Sequence, residues 1–344
     1  LAEKMRVFPE VQAHVVAGRL DPDDVLGTEE EDTAARLDDQ AIQFLRFGFD
    51  VLHEGHEALA EVAGPPPLDV AARVLQRLLE ALAPERLEQV VEGVHLEGPY
   101  INPGKLGAQP DFARTTDLQE LARLHRVAPI RLITLAPEMP GNFDVIERLV
   151  AAGHIVQIGH SLGGYEEGVA ALGRGARGFT HLFNAMTGIH HRKPGMVGAA
   201  LAHAEFAEII PDLLHVHPGA IRVALRAIPR LFCVTDSTAA AGMPDGEYRL
   251  GRHTVTKCLG GVRLADGTLA GSTLTMDQAL RNLVNEVGLD LADASRRVST
   301  NAADYLGETA RGRIAAGAWA DLVVMDRDLK LQQVVAEGRR IELA

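Results

Sequence analysis

Cysteine is scarce: the chain has two, Cys233 and Cys258, and they show no CxxC spacing. Neither a disulfide framework nor a thiolate zinc site is supported. Long apolar runs are also missing, so no segment reads as spanning a bilayer, and the opening stretch LAEKMRVFPEVQAH has no apolar core of signal-peptide length. Together these absences lead to the expectation of a cytoplasmic protein with no membrane partner. Basic stripes are lacking too: 34 Lys and Arg against 47 Asp and Glu leave a formal net charge of -13. That is the wrong field for a nucleic-acid groove. An anionic small molecule would need a local basic cluster, and HHRK at residues 190–193 is the best candidate.

What the chain does have is an alternation of short apolar runs and helical patterns. Val90 to Leu96, Ile130 to Leu135, Ile155 to Ile158, Gly178 to Thr180, Phe206 to Ile210 and Leu231 to Val234 read as strands. Helix-like stretches lie between them, such as Phe143 to Ala152 closed by Gly153 and Tyr165 to Leu172 closed by Gly173. Repeated strand and helix units predict a parallel sheet, and at 344 residues a closed (β/α)8 TIM-like barrel is favoured. Two more helical patterns cover Thr275 to Val287 and Asp290 to Leu306. After them, GRIAAGAWADLVVMD and LQQVVAEGRRI alternate like strands with no helix between, which places them in a small β-sandwich domain beside the barrel. Tyr248 to Leu264 reads as an inserted hairpin. The expected organisation is therefore an atypical region over 1–90, a barrel over 91–306 and the C-terminal strands of the β domain over 307–344. The first barrel strands and part of the β domain would have to come from residues 1–90. That stretch shows helical spacing with a PPP break at 65–67 and no convincing strand.

Four chemically capable side chains sit where predicted strands break into loops: Glu97 in VHLEGPY, His160 after HIVQIG, His181 after RGFT and Asp236 after LFCVT. Strand C-termini of a parallel barrel converge on one rim. One carboxylate and two imidazoles make a His2Glu set, which leaves an open position on a metal ion for water. The metal would bring the pKa of that water towards about 7 and polarise a carbonyl, while Asp236 accepts and returns the proton. Small residues follow Asp236 (STAAAG) and leave space for a substrate. The structural alternative is that Asp236 caps a following helix.

The runs HLEGPYINPGKLGAQP, GHSLGGYEEG, THLFNAMTGIHHRKPGMVGA, VTDSTAAAGMPDG and TLAGSTLTM resemble segments of the N-acetylglucosamine-6-phosphate deacetylase family, within the amidohydrolase superfamily. The resemblance covers about residue 91 to the end. It implies hydrolysis of N-acetylglucosamine 6-phosphate to glucosamine 6-phosphate and acetate by a metal-activated water. Glu97, His160 and His181 would bind the metal, one Zn2+ per chain or Fe2+ or another divalent ion in its place. Asp236 would be the general base and acid, and His215 would contact the substrate. Ala108, Gln109, Asn184, Ala185, Asp212, Leu269, Ala270 and Gly271 match positions lining the sugar phosphate site. Arg192 matches a phosphate-binding arginine that relatives supply to a neighbouring subunit, so a homodimer is implied; its planar fork suits phosphate oxygens.

The chain departs from that pattern in several places. No HxH pair precedes Glu97, and His53 and His56 in HEGHEAL stand three apart in a helical pattern. The family's short β-domain strands and first barrel strand are not visible in residues 1–90; a shifted reading frame or a wrong gene start would produce this, and peptide mapping tests it. Relatives tend to have glycine after the aspartate corresponding to Asp212, where this chain has Leu213, and often histidine in place of Gln109. The rival readings are a deacetylase of another N-acyl substrate, such as N-acetylgalactosamine 6-phosphate, or a non-catalytic sugar phosphate binding protein. His190, His191, Lys193, His203 and His217 read as solvated residues, and Met186 and Met276 as packing.

Overall fold

The six apolar runs form parallel strands because each is buried on both faces, the condition under which a strand reads as continuous rather than alternating. The structure, a computed structural model, describes residues 93–341 apart from 110, 128, 251 and 252, together with the backbone of two short strands near the start. Those two are β1 (Met5–Val7) and β2 (His14–Val16). They are followed by β3 (Val94–Glu97), β4 (Ile130–Leu135), β5 (Ile155–Ile158), β6 (Gly178–Phe179), β7 (Phe206–Ile209) and β8 (Arg230–Cys233). Strands β3 to β6 pair in sequential order and in parallel, as do β7 and β8. Between the two sets, Leu182 N–H donates to the Glu208 carbonyl at 2.8 Å. A singly wound parallel sheet in which each strand neighbours the next is the topology of a (β/α)8 barrel.

Helices follow the strands in turn: α1 (Leu118–Val127), α2 (Asn142–Ala151), α3 (Tyr165–Gly173), α4 (Gly195–His203) and α5 (Pro218–Ala227). Each amphipathic helix turns one stripe inward; Leu121 and Leu124 of α1, and Ile146 and Leu149 of α2, are buried three residues apart. They pack on strand residues such as Leu132 and Ile133, which have no exposed surface. Each such side chain contributes about 1.5–3 kcal/mol by leaving water. After β8 an excursion of three antiparallel strands intervenes: β9 (Gly246–Leu250), β10 (His253–Cys258) and β11 (Gly261–Arg263). It has its own small apolar cluster, which includes Ala108, Ala240 and Ala270. Then come α6 (Met276–Asn282), α7 (Leu291–Val298) and α8 (Thr300–Leu306). Among the described residues, no helix is long and apolar enough to cross a membrane.

The last strands, β12 (Leu322–Met325), β13 (Leu331–Ala336) and β14 (Arg339–Ile341), form one sheet in the order β14-β13-β12-β2. The start of the chain therefore contributes a strand to the small β domain. The sequence shows no convincing strand there, because a three-residue strand carries no readable period and is specified by its partner. Strand β1 pairs antiparallel with β3, a departure from the all-parallel pattern. The remaining expectations for residues 1–90, including His53 and His56, lie outside the described residues.

Other differences are local. Gly173 is the last residue of α3, and the left-handed glycine two residues on is Gly175, with φ 100°. The predicted helical run to Leu306 is two helices, broken at Ser299 (φ −142°, ψ −85°). Of GRIAAGAWADLVVMD, only Leu322–Met325 is strand.

Candidate active site

Glu97 is the final residue of β3, while His160 and His181 lie two residues beyond β5 and β6. All three are buried, at 6%, 3% and 4% exposure. Their ligating atoms converge: His160 Nε2 lies 2.8 Å from Glu97 Oε1 and 3.1 Å from His181 Nε2, and His181 Nε2 lies 3.2 Å from the same Glu97 oxygen. His160 Nδ1 lies 2.7 Å from the Lys105 carbonyl oxygen, so it must carry the proton that it donates. In the neutral ring that leaves a lone pair on Nε2, aimed at a carboxylate oxygen and a second imidazole nitrogen. Lone pairs so arranged are reconciled by a proton or a metal ion shared among them. The donor set, one carboxylate oxygen and two imidazole nitrogens within 4.8 Å of one another, fits zinc or another borderline divalent ion.

The loops that present these atoms are held in uncommon conformations. His160, His181 and Asp236 have φ of 49°, 30° and 49°. The left-handed region costs a non-glycine residue roughly 1–2 kcal/mol. Asp236 lies three residues beyond β8 at the same C-terminal end of the parallel strands. No described helix starts there, and the next one, α6, is preceded by Thr275. The capping alternative for Asp236 is thereby removed. Its carbonyl accepts from Ser272 N–H at 2.7 Å, and Thr238 N–H returns a bond to the Ser272 carbonyl at 3.0 Å. Gly271, at φ 67°, allows this approach: a methyl there would meet Thr238 Cγ2 at 2.5 Å and the Asp236 carbonyl at 2.9 Å.

His215 follows β7 in a tight turn with Asp212. The Asp212 carboxylate accepts from the backbone N–H of Leu214 at 3.0 Å and of His215 at 2.8 Å, and from His215 Nδ1 at 2.6 Å. Burial pushes the Asp212 carboxyl up, but the hydrogen bond and charge of His215 and these backbone donors outweigh it and hold the group below its ordinary value. Nε2 is then the ring atom left to meet a ligand. The turn needs Leu213 at φ 67°, a conformation that glycine adopts without strain.

The remaining expected residues divide. Gln109 donates to Glu97 Oε1 at 3.4 Å, so it touches the carboxylate itself. Asn184 turns its amide back on the carbonyls of His181 and Leu182, at 3.2 and 3.3 Å, and the Ala185 carbonyl accepts from Ser161 N–H at 3.0 Å. Ala108 and Ala270 are packed in the apolar cluster of the β9–β11 excursion, with Leu269 half-buried before it. Arg192 is exposed, its guanidinium 2.8 Å from His191 Nε2. His190, His191, Lys193, His203 and His217 are exposed, and Met186 is buried in the core. Sequence reasoning missed the Lys105 carbonyl, which carries no side-chain signal. It also missed Ser272, and Glu208 within the run FAEI, whose side chain accepts from His181 N–H at 3.2 Å.

Comparison with known proteins identifies the family. The sequence pattern of the amidohydrolase family matches residues 49–341. The N-acetylglucosamine-6-phosphate deacetylase of Lysinibacillus sphaericus is 39% identical over 263 residues, 75% of this chain and 68% of that protein. The N-acetylgalactosamine-6-phosphate deacetylase of Escherichia coli O157:H7 is 38% identical over 279 residues, 79% and 74% of the two chains. Among solved structures, a mutant of N-acetyl-D-glucosamine-6-phosphate deacetylase from Mycobacterium smegmatis, in complex with N-acetyl-D-glucosamine-6-phosphate, superposes with a TM-score of 0.75. It is 34% identical and covers 86% of this chain and 82% of that one.

Proposed function

The chain belongs to the amidohydrolase family and is a metal-dependent hydrolase, and we propose that it hydrolyses the acetamide of N-acetylglucosamine 6-phosphate to glucosamine 6-phosphate and acetate. The observation that carries the metal chemistry is the convergence of Glu97 Oε1, His160 Nε2 and His181 Nε2 on one point. These three side chains would hold a divalent cation. When bound, the cation supplies Lewis acidity, acidifying a water molecule and polarising the amide carbonyl.

The chain's own residues do the rest. The carboxylate of Asp236, on the rim with the cluster, takes the proton of the attacking water and delivers it to the amine nitrogen as the C–N bond breaks. General acid and base action of this kind contributes about 10²–10⁴-fold. His215, locked by Asp212, holds the substrate through Nε2. Gln109 fixes the orientation of the Glu97 carboxylate. Ala108, Asn184, Ala185, Asp212, Leu269, Ala270 and Gly271 would line or shape the sugar phosphate pocket. Arg192 would pair with the phosphate, supplied across the interface of a homodimer. One Zn2+ per chain, with Fe2+ as the alternative, and a cytoplasmic location complete the reading, with residues 91–306 acting as the catalytic barrel.

Asp236→Asn tests it. The variant should keep its bound metal and lose at least about 100-fold in acetate release. A near-normal rate with N-acetylglucosamine 6-phosphate would remove Asp236 from the mechanism. The galactosamine relative keeps the C4 epimer as a second reading, and relative kcat/KM for the two sugar phosphates decides between them.

A further inference from the structure

Beneath the metal cluster, five buried polar side chains from five successive strands form one hydrogen-bonded chain. His95 of β3, Thr134 of β4, Gln157 of β5, Thr180 at the end of β6 and Glu208 of β7 all have no exposed surface. His95 Nε2 lies 2.7 Å from Thr134 Oγ1, Thr134 Oγ1 lies 2.7 Å from Thr180 Oγ1, and Thr180 Oγ1 lies 2.9 Å from Gln157 Oε1. Gln157 Nε2 donates to Glu208 Oε1 at 3.2 Å, and Glu208 Oε2 accepts from His181 N–H at 3.2 Å.

The direction of every proton in this chain follows from its end. A carboxylate only accepts, so the Gln157 NH2 group faces Glu208 and its oxygen faces Thr180. Thr180 therefore donates to Gln157 and accepts from Thr134. Thr134 in turn accepts from His95, whose proton is fixed on Nε2. The chain runs one way, from His95 to Glu208, and meets there a donor of opposite direction, the backbone of His181.

Glu208 grips that backbone twice, because its carbonyl also accepts from Leu182 N–H at 2.8 Å. The peptide so held carries His181 at φ 30°, outside the comfortable range for a residue with a side chain. Strain of about 1–3 kcal/mol persists only where surroundings over-determine it. Of the bonds that hold this turn, the one from the His181 N–H itself ends on a Glu208 carboxylate oxygen, which therefore helps to set the angle at which His181 enters the metal cluster.

We propose that Glu208 is the positioning residue for His181, and that the Gln157 amide, itself held by Thr180, keeps its carboxylate aimed at the His181 N–H. The proposal rests on the metal site of the proposed function. It makes Glu208 neither a ligand nor a catalytic residue; it acts through His181. Groups that orient metal ligands are worth about 10- to 100-fold in metal affinity.

The test reverses the polarity. In Glu208→Gln one amide oxygen replaces two acceptors: to keep the His181 N–H the amide must turn its NH2 on Gln157, which reverses every donor back to His95, and the bond to His181 loses its charge. Gln157→Glu alone sets two acceptors against each other and is a second route to the same break. In the double variant Gln157→Glu/Glu208→Gln, the chain is whole again. The carboxylate introduced on β5 accepts from Thr180 and from the amide introduced on β7, and the oxygen of that amide accepts from His181 N–H. The readouts are the apparent Kd for Zn2+ against a competing chelator, and the melting temperature. Each single variant should weaken Zn2+ binding about 10- to 100-fold, and the double variant should return to within about threefold of the parent. Thr134→Val, which cuts the chain upstream but leaves Thr180 donating to Gln157, should lower the melting temperature and leave the Kd unchanged. Unaltered Zn2+ binding in both single variants overturns the proposal, as does a double variant no better than either. His181→Ala is the separate control: if it binds Zn2+ like the parent, the metal-site reading itself is wrong.

Discussion

Gly159→Ala is a demanding perturbation, because its two possible outcomes differ in sign. Gly159 stands between the end of β5 and His160, and its φ lies outside the left-handed region, so alanine is conformationally allowed. With free space around it, alanine would stabilise the fold by about 0.4–1 kcal/mol, by restricting the unfolded chain. The space is not free. A methyl at Gly159 would meet Thr134 Cγ2 and Thr180 Cβ at 2.8 Å, and Thr180 Oγ1 at 3.0 Å. Carbon atoms rest at about 3.5–4.0 Å, so each carbon would have to withdraw by roughly 0.7 Å. Neither can do so cheaply, since the two hydroxyls are hydrogen-bonded at 2.7 Å and belong to different buried strands. Overpacking of this kind costs about 1–3 kcal/mol. At about 2 °C per kcal/mol, thermal unfolding should move down by about 2–6 °C. The next residue is His160, so the displacement reaches Nε2, where a shift of about 1 Å can cost about 100-fold in rate. Calorimetry with metal bound, together with acetate release, makes the measurement. A variant as stable as the parent, or more stable, with unchanged turnover would refute the crowding argument.

Three other perturbations address separate parts of the site and scaffold. Asp212→Asn keeps an acceptor for the Leu214 and His215 backbone but removes the charge behind His215 Nδ1. A charge-assisted bond is worth about 1.5–3 kcal/mol, so kcat/KM should fall about 10- to 100-fold with metal content unchanged. At the opposite end of the barrel, burial holds the His154 imidazole below its ordinary value of 6.5, with His125 adding to the effect and the Ile130 carbonyl opposing it. The unfolded chain then binds more protons than the fold. Stability from this group is complete above pH 6.5 and is lost as pH falls through the lower folded value, so His154→Gln should flatten the acid side of a melting-temperature profile. Arg192→Ala should raise KM for the phosphorylated sugar and leave N-acetylglucosamine turnover unchanged; an equal loss with both substrates would contradict its phosphate role.

The strands and the four reactive ends were legible because their physics is local. An apolar run flanked by glycine or a polar loop reads as a buried strand whatever lies around it, and Glu97, His160, His181 and Asp236 each follow such a run. Glu208 and His95 were not legible. A polar residue inside a strand reads as its solvent face, and only a closed interior shows that FAEI and VHLE point their polar side chains inward. The break at Ser299 escaped notice for a related reason. The hydrophobic period continues through it, and the two helices are separated by a backbone turn that serine tolerates. Leu213 looked like a loss of a glycine turn, yet the turn is kept, with the Asp212 carboxylate collecting three donors to hold it.

What no periodicity records is that the rim residues are strained. His160, His181 and Asp236 each occupy a left-handed conformation, and each is pinned by a main-chain bond: the His160 carbonyl accepts from Asn102 N–H at 3.0 Å, His181 N–H donates to Glu208, and the Asp236 carbonyl accepts from Ser272 N–H. Those bonds come from β3–α1, β7 and the segment before α6, so three remote parts of the chain must be in place before the cluster exists. The consequence is that the backbone carrying these side chains is set by the barrel. Side chains fixed through their backbone in this way need little reorganisation during reaction, which is where electrostatic catalysis gains its advantage over the same groups in water.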